Sequence, residues 1–343
     1  MEAFLETLAP LHIYPLWRQK GLLVRKPTTE AIPYLWPYAP VRERLMEAGR
    51  LISAEEAERR VLILRNPGLG GKPAATSRLY AGLQLVLPNE IAPAHYHSAC
   101  AIRFVVEGNG AYTAVDGERA IMAPGDLVLT AAWTAHDHGN ETDEPMIWLD
   151  GLDLPLVNGL ECSFFHEIDE GKQQKLTRPD DASERAYGYG QLRPSSVTWS
   201  KNYSPLLKYP WTQTERILAD AIKDNVANSP TDGFIFEYTN PFTGGHVLPT
   251  MACYIQALTP GMHTDAHRHT TSAVYHVVRG RGTSIIDGQR IDWQERDTFA
   301  LPGWAVHEHL NTSDEPAILF SFTDDPTLRA LGFYHERGEA RQA

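Results

Sequence analysis

The sequence predicts an all-β protein made of two double-stranded β-helix (jelly-roll) barrels in tandem, with extra helices at the N-terminus and between the barrels. Three observations predict it: a long internal repeat, short β-prone segments set between turn residues, and helical signals confined to stretches outside the repeat.

The repeat fixes the order of the chain. The first copy runs through Gln84, His95-Tyr96-His97, Glu107-Gly108-Asn109-Gly110, Asp116-Gly117 and Gly125-Asp126, then Trp133, His136-Asp137-His138-Gly139-Asn140 and Asp143-Glu144-Pro145. The second runs through Gln256, His267-Arg268-His269, Arg279-Gly280-Arg281-Gly282, Asp287-Gly288 and Arg296-Asp297, then Trp304, His307-Glu308-His309-Leu310-Asn311 and Asp314-Glu315-Pro316. The offset is 172 residues at the paired histidines and 171 after the Asp-Gly turn. Eight of the 14 histidines occupy matched places, which chance does not produce.

Segments 102–106, 127–130 and 147–149 are short and β-branched or aromatic, and Glu107-Gly108, Asp116-Gly117 and Pro124-Gly125 separate them as turns. Many short strands at this spacing suggest closed antiparallel sheets with an interior pocket. Outside the copies, Ser53-x-x-Glu56 has the form of a capping box opening a short helix, and Thr212-x-x-Glu215 of another before residues 216–223. The expected division is therefore an N-terminal helical arm (1–65), a first barrel carrying the active site (66–165), a connecting segment with a helix (166–235) and a second barrel (236–335). A polar stretch rich in Pro, Gly and Ser, from about Gly171 to Pro210, reads as the connection between the barrels.

Composition bounds the partners. Of 343 residues, 43% are apolar and 22% charged, enough for a full core. A net charge of −12 disfavours nucleic acid and acidic membranes, though a pocket can still be locally positive. Cys100, Cys162 and Cys253 form no CxxC pair, which fits a reducing compartment and excludes a thiolate zinc site. Met1-Glu2-Ala3 does not lead into a secretory signal, and no stretch approaches the roughly 20 apolar residues of a membrane span. A cytoplasmic protein is expected.

On a strand, residues i and i+2 face the same way, so His95 and His97 project together, as do His267 and His269. A third histidine some forty residues on, in a neighbouring strand, completes a three-ligand face with open coordination positions. Imidazole suits divalent iron, zinc, copper and nickel. A lone HxH is more often two hydrogen-bonded or solvent-facing histidines; HxH followed by WxxHxHxN, twice and in register, reverses that reading.

These residues resemble the cupin superfamily, whose first motif falls at His95 and His97 and whose second runs from Pro124-Gly125 to His136 and Asn140. The resemblance implies His136, followed four residues later by Asn140, as third ligand in place of His138. Many metal cupins carry a glutamate shortly after HxH; Ser98-Ala99-Cys100-Ala101-Ile102 offers none, so an all-histidine site is expected. Three neutral ligands leave the ion's double charge for a chelating anion.

The closer resemblance is to gentisate 1,2-dioxygenase and its salicylate and 1-hydroxy-2-naphthoate relatives. It is carried by Leu79-Tyr80-Ala81-Gly82-Leu83-Gln84, Arg103-Phe104-Val105-Val106-Glu107-Gly108, Ala111-Tyr112-Thr113-Ala114-Val115-Asp116-Gly117-Glu118, and the stretch from Trp133 to Trp148-Leu149-Asp150-Gly151-Leu152-Asp153. The likeness covers essentially the whole chain. It implies a ring-opening dioxygenase with Fe(II) on His95, His97 and His136. A 2-hydroxybenzoate-type substrate chelates through carboxylate and ortho-oxygen, and O2 takes a remaining position. Cleavage falls between the carboxyl- and hydroxyl-bearing carbons, so gentisate gives maleylpyruvate. Gln84 and Arg103 orient the carboxylate, Tyr80 and Gly82 complete the substrate-binding set, and the assembly is a homotetramer.

Individual roles follow from both lines. If the strand continues unbroken from His97, Arg103 shares its parity and points at the metal, where a guanidinium grips a carboxylate by two bonds; the bland alternative is a structural ion pair. The second copy has Tyr275 in place of Arg103 and Ser321 in place of Asp150 while keeping its histidines, which favours function in the first barrel. His138 is a catalytic acid–base candidate beside the phenolic oxygen, or a hydrogen-bond partner one layer out. Asp150, the third catalytic candidate with Arg103 and His138, orients His138 or Arg103, or else Asp150-Gly151 is a plain turn. Tyr80 either meets a para-hydroxyl of the substrate or packs as an ordinary aromatic. His267, His269 and His307 form a candidate second metal group, holding an accessory ion or kept in a barrel retained for assembly.

The nearest rival is the same chemistry on salicylate, a substituted salicylate or 1-hydroxy-2-naphthoate. A manganese cupin acting on oxalate normally has the glutamate missing here, a storage or ligand-binding bicupin would have lost its histidines, and an isomerase cupin would use a non-redox metal on the same triad.

Overall fold

The computed structural model describes residues 1–168 and 173–340. Each half is a sandwich of two antiparallel sheets. In the first, a six-stranded sheet has the order Lys208–Tyr209, Leu127–Thr130, Ala101–Glu107, Met146–Leu152, Tyr80–Val86, Val61–Ile63. It faces a five-stranded sheet ordered Phe165–Glu167, Ile91–His97, His136–Gly139, Tyr112–Val115, Glu118–Ile121. The second half repeats the plan. Its large sheet contains Thr298–Leu301, Ala273–Arg279, Ala317–Thr323 and Ala252–Leu258, and its smaller sheet contains Arg281–Ile286, His307–Leu310 and His267–His269. The two-barrel, mainly β architecture expected from the sequence is what forms.

Side-chain alternation decides what each large sheet faces. Along Ala101–Glu107, Ile102, Phe104 and Val106 join Leu83, Leu85, Leu127, Leu129, Ile147 and Leu149 in one buried cluster with Ile255, Val274, Ile318, Phe320 and Phe322 of the second barrel. The two large sheets thus pack back to back, with Phe104 stacked on Phe320 at 4.1 Å and 16°. The opposite parity, including Val105, Val128 and Trp148, forms a separate cluster inside the first barrel. Arg103 belongs to that inward parity. Tight connections follow the turn chemistry: Asp116 and Gly117 both have positive φ (45° and 81°), as a two-residue hairpin of the right twist requires.

The N-terminal region is helical at Glu2–Leu8, Tyr38–Leu51 and Ala54–Ala57, yet it also gives an edge strand to each barrel. Tyr34–Trp36 pairs with Thr298–Leu301 of the second, and Val61–Ile63 with Tyr80–Val86 of the first. Ser53 caps as expected, its Oγ accepting the Glu56 N–H at 3.0 Å. The second capping box does not form. The helix Trp211–Asp224 begins one residue before Thr212, because Asp126 of the first barrel accepts the Trp211 N–H at 2.8 Å and caps it from outside. Phe165–Glu167 and Gly233–Glu237 run across the two expected limits of the connecting segment. Gly171, where its polar part was expected to start, lies outside the described residues. Among the described residues, no helix is long and apolar enough to cross a membrane.

Candidate active site

In the smaller sheet of the first barrel, His95 lies opposite His136 in register, and alternation brings His97 to the same side. Their ligand atoms all lie within 4.8 Å of one another. Local backbone positions the third ring. Trp133 adopts a left-handed φ of 65°, an unfavourable state for a bulky residue, and its N–H donates to the His97 carbonyl at 2.8 Å. This ties the turn before His136 to the strand carrying the other two histidines. Beyond it, the Asn140 amide donates to Val86 O (3.0 Å) and Glu144 O (2.7 Å), holding the loop that follows His138.

The residues fit a metal. His97 Nδ1 donates to Ala99 O at 2.7 Å and His136 Nδ1 to Thr134 O at 2.9 Å; a carbonyl only accepts, so each Nε2 keeps its lone pair. His136 Nε2 is buried and has no hydrogen-bond partner among the described residues. Burial, aided by nearby guanidinium charge, pushes His95 down to about 2 and His97 to about 4, and drives His136 well below the usual imidazole range. All three are neutral donors near pH 7, the form a divalent ion needs.

Arg103 reaches this site by a route different from the one parity along His97 suggested. The chain leaves Ile91–His97, turns, and enters Ala101–Glu107 in the opposite sheet, so the premise of one unbroken strand fails. Arg103 still points inward, from across the barrel. Its Nη1 donates to Thr130 Oγ1 (2.5 Å), and its Nε is 3.5 Å from Asp150 Oδ1, ion-paired yet without a hydrogen-bond partner among the described residues. Asp150 is no turn residue: it sits within Met146–Leu152, between Gly82 on one neighbouring strand and Arg103 on the other. Burial pushes its carboxyl up to about 6, against the pull of Arg103 and of the Trp148 indole N–H, which donates to it at 3.0 Å.

His138 is fully buried beside Trp148, its ring 6.0 Å from that of His136. Thr113 Oγ1 donates to the Met122 sulfur at 3.4 Å, so His138 Nδ1 donates to Thr113 at 3.0 Å and its partnerless Nε2 is an acceptor. Burial, then the charges of Arg103 and Arg59, hold this imidazole neutral. Tyr80, Gly82 and Gln84 share the inward parity of Tyr80–Val86. A Cβ at Gly82 would stand 2.6 Å from Val61 Cγ1 and 2.8 Å from the Tyr80 hydroxyl, so the bare backbone is what admits the phenol.

Arg59 is the residue that sequence reasoning missed. It belongs to no repeated motif, yet its Nη2 donates to Pro93 O (2.8 Å) and touches the His95 ring. Burial, then Arg103, lowers its pKa to about 10. Two guanidiniums therefore face one triad.

The second barrel repeats the geometry of the triad. The ring spacings of His267, His269 and His307 are 5.5, 4.1 and 4.9 Å, against 5.4, 4.0 and 4.7 Å in the first. Tyr275 lies opposite Ser321 as Arg103 lies opposite Asp150.

The cupin domain model matches residues 82–152 and 254–323. The chain is 43% identical to gentisate 1,2 dioxygenase 1 of Aquipseudomonas alcaligenes, over 97% of this chain and 95% of that protein. It is 40% identical to 5-aminosalicylate 1,2-dioxygenase of Comamonas sp, over 99% and 91%. Its fold superimposes on the solved salicylate 1,2-dioxygenase of Pseudaminobacter salicylatoxidans with a TM-score of 0.92 at 33% identity, covering 99% of this chain and 98% of that one.

Proposed function

The chain belongs to the cupin family of gentisate 1,2-dioxygenases and their salicylate and 1-hydroxy-2-naphthoate relatives, a ring-cleaving oxidoreductase, and from that premise we propose that it is an iron(II) enzyme turning gentisate and O2 into maleylpyruvate. The bond cleaved lies between the carboxyl-bearing and hydroxyl-bearing ring carbons, and both oxygen atoms enter the product. The observation that carries this reading is the pairing of an all-histidine triad, whose His136 Nε2 has no hydrogen-bond partner among the described residues, with the inward guanidinium of Arg103, ion-paired to Asp150.

His95, His97 and His136 would hold the iron, which when bound supplies open positions for substrate and O2 and a path for electrons between them. Arg103, fixed by Thr130 and Asp150, binds and orients the substrate carboxylate, and Arg59 adds a second positive charge at the mouth. Gln84 donates to the same carboxylate. His138 Nε2 accepts the proton-bearing hydroxyl of the substrate and holds it in place. The Tyr80 phenol meets the group para to that hydroxyl, which favours gentisate over unsubstituted salicylate. A 5-amino group occupies the same ring position, so 5-substituted salicylates are the second reading.

Cytoplasmic residence is part of the proposal, supported by three free cysteines. So is a homotetramer: Phe4, Leu11, Trp17 and Leu23 of the N-terminal arm are exposed apolar side chains that a neighbouring subunit would cover. Light scattering should give the mass of four chains; a monomer removes the arm argument.

The test of function is to reconstitute the protein anaerobically with ferrous iron, add gentisate and O2, and follow oxygen uptake and product absorbance. We expect one O2 per gentisate, and in Tyr80→Phe a gentisate-to-salicylate preference lowered roughly tenfold, the worth of one hydrogen bond. No uptake with gentisate, salicylate or hydroxynaphthoate would falsify the assignment, and an unchanged preference removes Tyr80 from it.

A further inference from the structure

We propose that Thr113 and Met122 are positioning residues for ring opening: together they fix on His138 the tautomer whose Nε2 accepts a hydrogen bond, while the matched pair in the second barrel, Ser284 and Trp293, fixes the opposite tautomer on His309. The role in ring opening rests on the dioxygenase reading, in which His138 Nε2 receives the substrate hydroxyl.

Three fully buried side chains stand in line behind the first site. Thr113 and His138 lie opposite each other in register on neighbouring strands, with Thr113 Oγ1 3.0 Å from His138 Nδ1. A hydroxyl has one proton to give and two lone pairs with which to receive. Thr113 gives its proton to the Met122 sulfur, 3.4 Å away, and a thioether can only accept. The bond to the imidazole therefore runs from Nδ1–H to Oγ1. With its proton on Nδ1, the neutral ring presents a bare Nε2 to the site.

The second barrel holds the same three places with the order reversed. The repeat offset of 171 sets Ser284 at the place of Thr113, Trp293 at that of Met122 and His309 at that of His138. Ser284 again lies opposite the histidine in register, with Oγ 2.8 Å from Nδ1. Behind it, however, stands a group that only donates: the Trp293 indole N–H gives to Ser284 Oγ at 3.0 Å. The serine proton then has no acceptor among the described residues except His309 Nδ1. That bond runs from Oγ to Nδ1, and the proton of the neutral ring sits on Nε2. The opposite direction would leave a buried hydroxyl proton without a partner, which is costly. The backbone is built for the indole as well: a Cβ at Gly282 would stand 2.5 Å from the Trp293 ring, whereas Ala111 sits beside Met122.

A sulfur in one barrel and an indole in the other thus send the same chain of hydrogen bonds in opposite directions. A bare Nε2 accepts from a phenolic O–H; a protonated one would meet that hydroxyl proton to proton. Turning the chain round at Met122 would therefore spoil the first site without touching any residue that meets substrate.

The test uses the full chain labelled with 15N at histidine and loaded with diamagnetic zinc(II), in which solid-state NMR separates protonated from bare ring nitrogens. Signals lost in His138→Asn and in His309→Asn assign the two rings. We expect His138 protonated on Nδ1 and His309 on Nε2. Met122→Leu conserves volume and removes the acceptor, so the Thr113 proton turns onto His138 and the ring proton moves to Nε2; this shift also identifies His138 should His138→Asn not fold. With ferrous iron, kcat/KM for gentisate should fall roughly tenfold in Met122→Leu and in Thr113→Val, the worth of one hydrogen bond, and Thr113→Ser should recover to within about threefold of wild type. A wild-type His138 protonated on Nε2 overturns the proposal, as does Met122→Leu losing activity with its proton unmoved, which would be packing alone. Thr113→Ser as impaired as Thr113→Val removes the hydroxyl, and a His309 protonated on Nδ1 removes the contrast. The expected spectra in a chain that cleaves no ring would sink the dioxygenase reading and leave the order of the hydrogen bonds standing.

Discussion

The first barrel surrounds its histidine triad with Gly82, Arg103 and Asp150, whereas the second surrounds a triad of nearly the same ring spacings with Tyr254, Tyr275 and Ser321. What the barrels share is backbone-level. Trp133 and Trp304 both take left-handed φ (65° and 68°) and donate to the carbonyls of His97 and His269 at 2.8 and 2.7 Å. Asn140 and Asn311 tie the same loop in each, and the second-layer contact of His138 with Thr113 recurs as His309 with Ser284 at 2.8 Å. What they do not share is the inward lining of the large sheet, where Tyr80 and Trp148 are also replaced, by Ala252 and Leu319. The smaller sheet therefore makes a histidine triad that could hold a metal, and the large sheet sets the charge and shape of the space in front of it.

Breaking that difference at its strongest point has the largest effect. Arg103→Lys keeps the charge and loses the fork, and we expect kcat/KM for gentisate to fall roughly 100-fold, about 2.7 kcal/mol. Tyr275→Phe at the matching position should leave turnover unchanged. Steady-state kinetics decide it, and a loss under threefold in Arg103→Lys would mean that the guanidinium is framework.

A smaller effect comes through Asp150. Its carboxyl is raised to about 6, so it is ionised above that pH and protonated below it. As pH falls through about 6, Arg103 loses its partner, and kcat/KM should fall with it. Asp150→Asn, which resembles the protonated state at every pH, should lose about tenfold at pH 7.5 and no longer show the acid limb. An acid limb that persists unchanged in the variant assigns it to another group.

Much of this was legible in the sequence, for reasons that can be named. Strand periodicity puts His95 and His97 on one face whatever the rest of the fold does; the repeat marks two further histidines in each copy, and the cupin resemblance, through Asn140 four residues on, implies His136 as the partner. Parity, however, is local to one strand. The argument for Arg103 assumed that a strand ran on from His97, and the residue points inward for another reason, the facing of the large sheet. Asp150-Gly151 reads locally as a turn, but Gly151 is there because a Cβ would stand 2.7 Å from the Phe322 ring of the other barrel, a tertiary demand. The Thr212 capping box failed likewise, since Asp126, in the turn before Leu127–Thr130, supplied the cap. Arg59 left no signal, because it acts in the first site from an arm outside the repeat.

The claim beneath all of this is that one triad carries ring cleavage and its near-copy does not. Oxygen uptake by His136→Ala and His307→Ala, each reconstituted with ferrous iron and given gentisate, tests it side by side. The account predicts a loss of at least roughly 1000-fold in His136→Ala, where the ion's charge stabilisation is removed, and less than about threefold in His307→Ala. Comparable losses in both variants, or a larger one in His307→Ala, would contradict it.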